Sequence, residues 1–209
     1  MSVLTIRILL LIACAGHVLC RQCDSWLAYS PKGRFQFSDL KENDTMAEFF
    51  DGMSLKNIIF SMLFGVLAML MSTCGYIGLS EWIRQFSPGM GWLILFSGMT
   101  ANICGTAHHV LCGVVEWFYI QMNRTEKARE MVLDFFRKTS ITMYACYIPL
   151  MIFGIAFFIF IITGKADLPQ WASIFNCIPL FLILMPFKFV GSGNIANAVM
   201  FLGLFFLIS

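Results

Sequence analysis

Charged residues are scarce in this sequence. Asp, Glu, Lys and Arg together make up 12% of its 209 residues, about half the share found in soluble domains. Hydrophobic residues make up 59%, and the mean hydropathy is +0.79. A soluble fold of this composition would leave much apolar surface in water. The sequence therefore indicates a protein whose exterior is solvated by lipid.

Motifs for several protein classes are missing. The net charge of +2 comes without a basic stripe interleaved with aromatic residues, so we expect no nucleic-acid partner. There is no His-Glu-x-x-His motif, no P-loop and no dinucleotide fingerprint. Five of the eight cysteines lie inside apolar runs, which is not the spacing of a disulfide framework. We interpret the cysteines as small packing residues.

Potential metal and haem ligands are also few. Cys104, His108 and Cys112 recur every four residues, but three ligands spread along one straight helix rarely converge on one ion. A haem held by two histidines would need His17 opposite His108 or His109. We therefore predict no metal site and no cofactor.

Long uncharged runs divide the rest of the chain. After Lys56 there are five such runs, of 24, 31, 26, 20 and 21 residues. Each exceeds the roughly 18 apolar residues of a membrane-spanning segment, and none alternates as a strand would. Lipid offers the backbone no hydrogen-bond partners, so these runs must be helical.

With one further helix at the N-terminus, the sequence predicts an all-α integral membrane bundle of about six transmembrane helices, forming a single transmembrane domain over residues 1–209. The predicted helices lie near 3–20, 57–79, 92–118, 141–163, 169–186 and 192–208, with polar loops at 21–56 and 122–140.

Prolines refine two of these boundaries. Pro88, with Gly89 and Gly91, predicts the turn between the second and third helices. Pro169 suits the first turn of the fifth helix, and Pro179 is predicted to kink it.

The first apolar run, residues 8–20, has three interpretations. A cleaved secretory signal would use Arg7 as its basic region and small residues such as Ala13 for cleavage. A bacterial lipoprotein signal ending at Cys14 would have too short an apolar core. A retained transmembrane helix is the third interpretation.

Charge distribution favours the retained helix. Six helices place segments 21–56, 122–140 and 187–191 on one side, where they carry eleven Lys and Arg residues against three on the other. The positive-inside rule puts these segments in the cytoplasm, whereas a cleaved signal would invert the bias.

Small and polar residues form one stripe on the third predicted helix. Alternating steps of four and three keep them on a single face that should point into the bundle. They are Gly98, Asn102, Gly105, His109, Cys112 and Glu116. Ionisable residues at membrane depth indicate a functional cavity, although plain helix packing explains the same stripe. The lipid side should carry Leu93, Phe96, Ile103 and Val110.

Two further places carry polar residues near helix ends. Asp24 follows the first apolar run, beside the interface-type residues Trp26 and Tyr29. Asp24 is hydrated at the headgroups or, if the first helix extends through it, faces the cavity. Gly191 precedes the last helix, which Ser192 or Asn194 can cap and where free amides suit an anion. The candidate ligand-binding or cavity-lining residues are thus Asp24, Asn102, His108, His109, Glu116, Ser192, Asn194 and Asn197.

Three short motifs carry a resemblance. Asp24-Ser25-Trp26-Leu27, the run from Gly105 to His109 and the run from Gly191 to Asn197 together resemble a group of small, functionally uncharacterised bacterial multi-pass membrane proteins. The resemblance implies that the first helix is retained, and it supplies no activity. Intramembrane hydrolases of the ceramidase and progestin-receptor type are a looser comparison, but they need more histidines and aspartates than this chain has.

We therefore expect a membrane protein, in the plasma membrane if bacterial, whose polar cavity binds or transports a small molecule or lipid. Its partners would be the lipid bilayer and that ligand, and the sequence leaves the oligomeric state open. The alternative is an intramembrane enzyme using His109 or His108 with Asp24 or Glu116 as an acid/base pair.

Overall fold

Helices dominate the computed structural model, which describes residues 1–208. Within these residues the α-helices are α1 Val3–Ala28, α2 Asn43–Phe49, α3 Leu55–Arg84, α4 Pro88–Gln121, α5 Glu126–Thr139, α6 Ile141–Ile162, α7 Cys177–Leu184 and α8 Ser192–Leu207. Short 3-10 helices cover Phe37–Leu40, Gln170–Phe175 and Met185–Phe187, and a two-residue antiparallel hairpin pairs β1 Tyr29–Ser30 with β2 Gly33–Arg34. The predicted all-α class is confirmed.

Three helical stretches are long and apolar enough to cross a membrane. They are Val3–Ala28, Leu55–Arg84 and the stretch Glu126–Ile162, which joins α5 and α6. The 34-residue α4 is longer than a bilayer requires, but its polar stripe lowers its hydropathy. The apolar helices Cys177–Phe187 and Ser192–Leu207 are shorter.

The segment predicted as one helix at 169–186 is divided, and that prediction is wrong. Pro169 precedes a 3-10 helix, and Pro179 lies in the first turn of α7 rather than at a kink. The division occurs at the fully buried Asn176. Its Nδ2 donates to the Gly154 carbonyl at 2.9 Å, and its Oδ1 accepts from the Ile178 amide at 2.9 Å, which caps α7.

Two other boundaries differ from the prediction. α4 begins at Pro88, because a proline is well tolerated at the first helical position. Gly89 and Gly91 therefore lie inside the helix and not in the turn. α1 continues past Cys20 to Ala28, so Asp24 belongs to the helix.

The long helices pack in the order α8, α1, α3, α4 and α6, with α3 at the centre. α1 packs against α3 and α8, while α4 packs against α3 and α6. The interior separates into two apolar clusters at opposite ends. The far-end cluster contains, among others, Ile6, Leu10, Tyr76, Phe153, Phe157 and Phe201. The loop-end cluster contains, among others, Leu27, Met46, Phe50, Ile58, Val115 and Tyr119.

The polar segments meet at the loop end. Arg124 pairs with Asp51 at 2.7 Å, and Arg34 donates to the carbonyl of Lys188. Segments 21–56, 122–140 and 187–191, which the charge pattern assigned to one side, are thus brought together at one end of the bundle.

Candidate ligand-binding site

Asp24, His109 and Asn194 come together between three helices. Asp24 on α1 accepts a hydrogen bond at Oδ2 from Asn194 Nδ2 on α8, at 2.8 Å. Its Oδ1 lies 3.4 Å from His109 Nδ1 on α4, an ion-pair distance. Asp24 is thus contacted through both oxygens, by side chains distant in the sequence. We call Asp24, His109, Asn194, His17 and Ser61 the polar network.

Ser61 of α3 completes the surroundings of His109. Its Oγ donates to the Cys23 carbonyl at 2.8 Å, so the Ser61 Oγ and carbonyl oxygens, each 3.1 Å from His109 Nε2, are both acceptors. Nε2 must therefore carry a proton. His109 Nδ1 faces Asp24 Oδ1, so the imidazole lies between a serine on one side and a carboxyl group on the other.

His17 extends the polar network along α1. Its Nδ1 lies 2.9 Å from Asn194 Oδ1, and since the Asn194 amide group donates to Asp24, His17 Nδ1 must be the donor. The ring stacks on Phe201 at a centroid distance of 5.6 Å. His17 Nε2 is buried without a hydrogen-bond partner among residues 1–208.

Two glycines allow the close approach of these groups. A Cβ on Gly65 would overlap the His109 ring, so only glycine lets α3 and α4 hold the imidazole there. Gly191 has a φ of +68° and packs against Arg21 and Asp24; a Cβ there would lie 2.9 Å from Asp24 Oδ2.

The polar network lies between the two apolar clusters. Along α3, Ser61 follows Ile58 of the loop-end cluster and precedes Tyr76 of the far-end cluster. His17 is 3% exposed, His109 8%, and Ser61 fully buried. The Asp24 side chain remains 27% exposed. Asp24 and the half-buried Asn194 are therefore the parts of the network that reach the protein surface.

Other residues of the α4 region lie outside this network. Asn102 is buried and donates to the Met69 carbonyl and to Thr73 Oγ1, both at 3.2 Å. His108 faces α6, where its Nδ1 lies 3.2 Å from Thr142 Oγ1. Its Nε2 lies 3.7 Å from Cys112 Sγ. These residues bond locally and do not approach Asp24.

The remaining candidates are scattered. Glu116 Oε2 and Asn197 Oδ1 are buried without a partner among residues 1–208, although Asn197 Nδ2 donates to the Gly193 carbonyl at 2.9 Å. Neither Ser192 nor Asn194 caps α8, contrary to expectation, because Gly191 is the N-cap residue and Asn194 is turned toward α1.

Burial along α4 follows the predicted stripe. Asn102 and His109 are buried, while Leu93, Phe96 and Ile103 are 42%, 63% and 66% exposed. Val110, expected on the lipid side, is half-buried.

The model of one family spans the entire chain, residues 1–209: a family of unknown function, DUF6796. The chain belongs to this family. No curated protein and no solved structure matches it. The family description names no activity, in keeping with the uncharacterised group that the motifs resemble, so function must be argued from the site itself.

Asp24, His109 and Ser61 are connected in the order of a carboxylate–imidazole–hydroxyl relay. A nucleophilic serine needs an exposed hydroxyl beside donors for an oxyanion. Ser61 is 0% exposed and directs its proton to the Cys23 carbonyl. The three groups therefore follow the order of a hydrolase triad, but the Ser61 hydroxyl is a hydrogen-bond partner of His109 and not an accessible nucleophile.

Ser61 and His17 were not among the predicted site residues. Ser61 lies in an apolar run where a lone hydroxyl often bonds its own helix, as Ser72 does with the Ala68 carbonyl. The available signal was the four-residue spacing of Ser61 and Gly65, which puts both residues on the face of α3 that contacts His109. His17 was noted only as a possible haem ligand.

Proposed function

We propose that this chain is a multi-pass integral membrane protein with six membrane-embedded segments in one transmembrane domain, and that its polar network binds a small polar molecule or a lipid headgroup. The loop end faces the cytoplasm, and in a bacterium the membrane is the plasma membrane. The protein acts as a transporter, sensor or accessory subunit.

Membrane embedding is supported by the outward-facing side chains. Leu70, Phe96 and Ile103 are each more than 60% exposed on long helices, and lipid solvates such a surface where water would not. Retention of α1 is supported by Ile6 and Leu10, which are fully buried in the far-end cluster. Cleavage after residue 20 would remove both.

The convergence of Asp24, His109 and Asn194 carries the proposal. Helix packing requires only that each polar side chain find one partner. Here, two helices direct polar groups at a carboxylate on a third helix, and that carboxylate is still 27% exposed. The buried acceptors His17 Nε2 and Asn197 Oδ1 add hydrogen-bonding capacity on the same two helices, α1 and α8. Burying polar groups in an apolar bundle has a desolvation cost. Polar groups that are retained despite this cost are typical of a functional site.

The test compares what co-purifies with the protein. Wild type, Asp24→Asn and His109→Gln are purified in mild detergent, and their bound lipids and small molecules are extracted and measured by mass spectrometry. We expect both variants to lose a species that wild type retains, at unchanged folded yield. His108→Gln is the matched control, because His108 lies outside the polar network, and it should retain that species. Identical extracts from all four proteins would contradict the proposal.

The Asp24–His109 pair also favours a second candidate, an intramembrane enzyme with acid–base chemistry. The observation is the 3.4 Å contact between His109 Nδ1 and Asp24 Oδ1, which places an imidazole beside a carboxyl group. A turnover assay on a total lipid extract separates the two: new products that disappear with Asp24→Asn and with His109→Gln indicate catalysis, and unchanged lipids indicate binding alone.

A further inference from the structure

An apolar groove runs between α1 and α8 on the outer surface of the bundle. Its volume is about 310 Å³. α1 contributes Cys14, Val18 and Arg21, which recur at steps of four and three on one face, and α8 contributes Ile195, Val199 and Leu202 opposite them. The seven-residue separation of Cys14 and Arg21 gives the groove a length of about 10 Å along the helix axis.

The groove stops at Arg21, on the side that is nearer the loop end. Among residues 1–208, no acidic side chain pairs with it within 4.0 Å. It lies about 10 Å before the end of α1, one to two turns below the interface-type residues Trp26 and Tyr29. An arginine at this depth reaches the headgroup region by extending its side chain.

Two further cations belong to the loop-end segments beyond Arg21. Gly191 packs against the Arg21 side chain, and Lys188 precedes Gly191 by three residues. Arg34 donates to the Lys188 carbonyl, so its guanidinium lies beside the segment that leads into Gly191. Neither cation has an acidic partner within 4.0 Å among residues 1–208. The apolar groove therefore ends at an arginine that has no acidic partner, on the side of the basic loop-end segments.

We propose that this groove binds an anionic phospholipid, with an acyl chain along Cys14, Val18 and Leu202 and the headgroup phosphate at Arg21. The combination of an apolar channel and a cation at interface depth matches the two parts of such a lipid. The guanidinium can bind a phosphate through two parallel hydrogen bonds. The inference rests on the membrane placement proposed above and is independent of the ligand of the polar network.

Asp24, one turn from Arg21, is the acidic group closest in sequence to the proposed phosphate. Its oxygens are contacted by Asn194 Nδ2 at 2.8 Å and by His109 Nδ1 at 3.4 Å. Among residues 1–208, Asp24 makes no ion pair with Arg21 within 4.0 Å, so Arg21 keeps its capacity to bind a phosphate.

Native mass spectrometry of the delipidated full-length protein in detergent tests the proposal. Phosphatidylglycerol and phosphatidylcholine with identical acyl chains are titrated in parallel. We expect wild type to prefer phosphatidylglycerol about fivefold, the preference expected from one cation near a headgroup of net negative charge, because the choline group of phosphatidylcholine neutralises its phosphate. Arg21→Gln should lose this preference and Arg21→Lys should keep most of it. Lys165→Gln, which removes an exposed cation at the far end, should match wild type. Glycerol phosphate, which has no acyl chain, should not bind.

Photo-crosslinking keeps the proposal testable if Arg21→Gln does not fold. A phosphatidylglycerol with a photoreactive acyl chain should label wild-type peptides covering residues 14–21 and 195–202. Labelling elsewhere, equal affinity for both lipids, binding of glycerol phosphate alone, or an undiminished preference in Arg21→Gln would overturn it. Asp24→Asn and His109→Gln should keep the lipid preference, so failure of the polar-network proposal and failure of this one give different results.

Discussion

The two ends of the helical bundle are built by different means. At the far end, Phe153, Phe157 and Phe201 are fully buried, with Tyr76 packed against Phe153 and Phe201 and with Phe157 stacked on Phe153. The α3–α4 connection there spans only residues 85–87. At the loop end, long polar segments cover a second apolar cluster, and the polar network lies between the two. The far end is specified by shape, and the region near the loop end by paired polar groups.

This difference separates stability from function. Burying aromatic rings gives favourable packing with no polar group to satisfy. Burying an imidazole and a carboxylate has a desolvation cost that its hydrogen bonds only partly offset. If stability were the only requirement, a bundle packed throughout with apolar side chains, as at the far end, would be more stable. This desolvation cost is consistent with the binding role that we propose for the polar network.

The largest loss of stability is expected from Phe157→Ala in the far-end cluster. Phe157 is fully buried, and the cavity left by its ring should lower the free energy of unfolding by about 3–5 kcal/mol. Thermal unfolding in detergent measures the effect, with Phe157→Leu as a milder control. Any species retained through the polar network should still co-purify. If Phe157→Ala lost less stability than His109→Leu, the account of the far end as the main source of stability would be wrong.

An intermediate loss is expected from His109→Leu. The substitution leaves Ser61 and Asp24 without their imidazole partner, at a cost of about 1–3 kcal/mol. His109→Gln keeps one donor and should destabilise less, while still losing the bound species. The same unfolding assay compares the two variants. Equal stability of His109→Leu and His109→Gln would mean that the hydrogen bonds of the polar network contribute nothing to folding.

The smallest effect is expected at the surface of the loop end, from Asp51→Asn. The hydrogen bond from Arg124 lowers the pKa of Asp51, so the contribution of the pair to stability is present above the unfolded-state pKa and is lost as the pH falls below about 4. Because Asp51 is exposed, Asp51→Asn should lower the melting temperature only slightly relative to wild type at neutral pH. This difference should disappear in acid. A difference that grows in acid would show that another group is responsible.

Helical periodicity accounts for much of what the sequence predicted. The spacing of Asn102 and His109 predicted their burial. Asn194 was expected as a candidate site residue or as the cap of the last helix, and it contacts Asp24 instead. Asp24 meets His109 and Asn194 because α1 continues to Ala28. Uncharged runs alone predicted helices close to α3, α4, α6 and α8.

The remaining features depend on contacts that periodicity does not encode. The division of residues 169–186 follows from one buried amide, Asn176, which bonds Gly154 on another helix. The roles of Ser61 and His17 follow from which side chains face them across α1, α3 and α8. The stripe on α4 also overstated the site, because Asn102 bonds α3 locally and Glu116 is buried apart from Asp24.

Site-directed labelling of the loop end tests the central claim most directly, since the membrane placement underlies every other proposal. Lys41 and Lys165 are exposed at the loop end and the far end, respectively, and each is replaced by cysteine, with wild type as the control for the eight native cysteines. A membrane-impermeant maleimide applied to intact cells should label Lys165→Cys and should label Lys41→Cys only after permeabilisation. Labelling of Lys41→Cys in intact cells would contradict a cytoplasmic loop end.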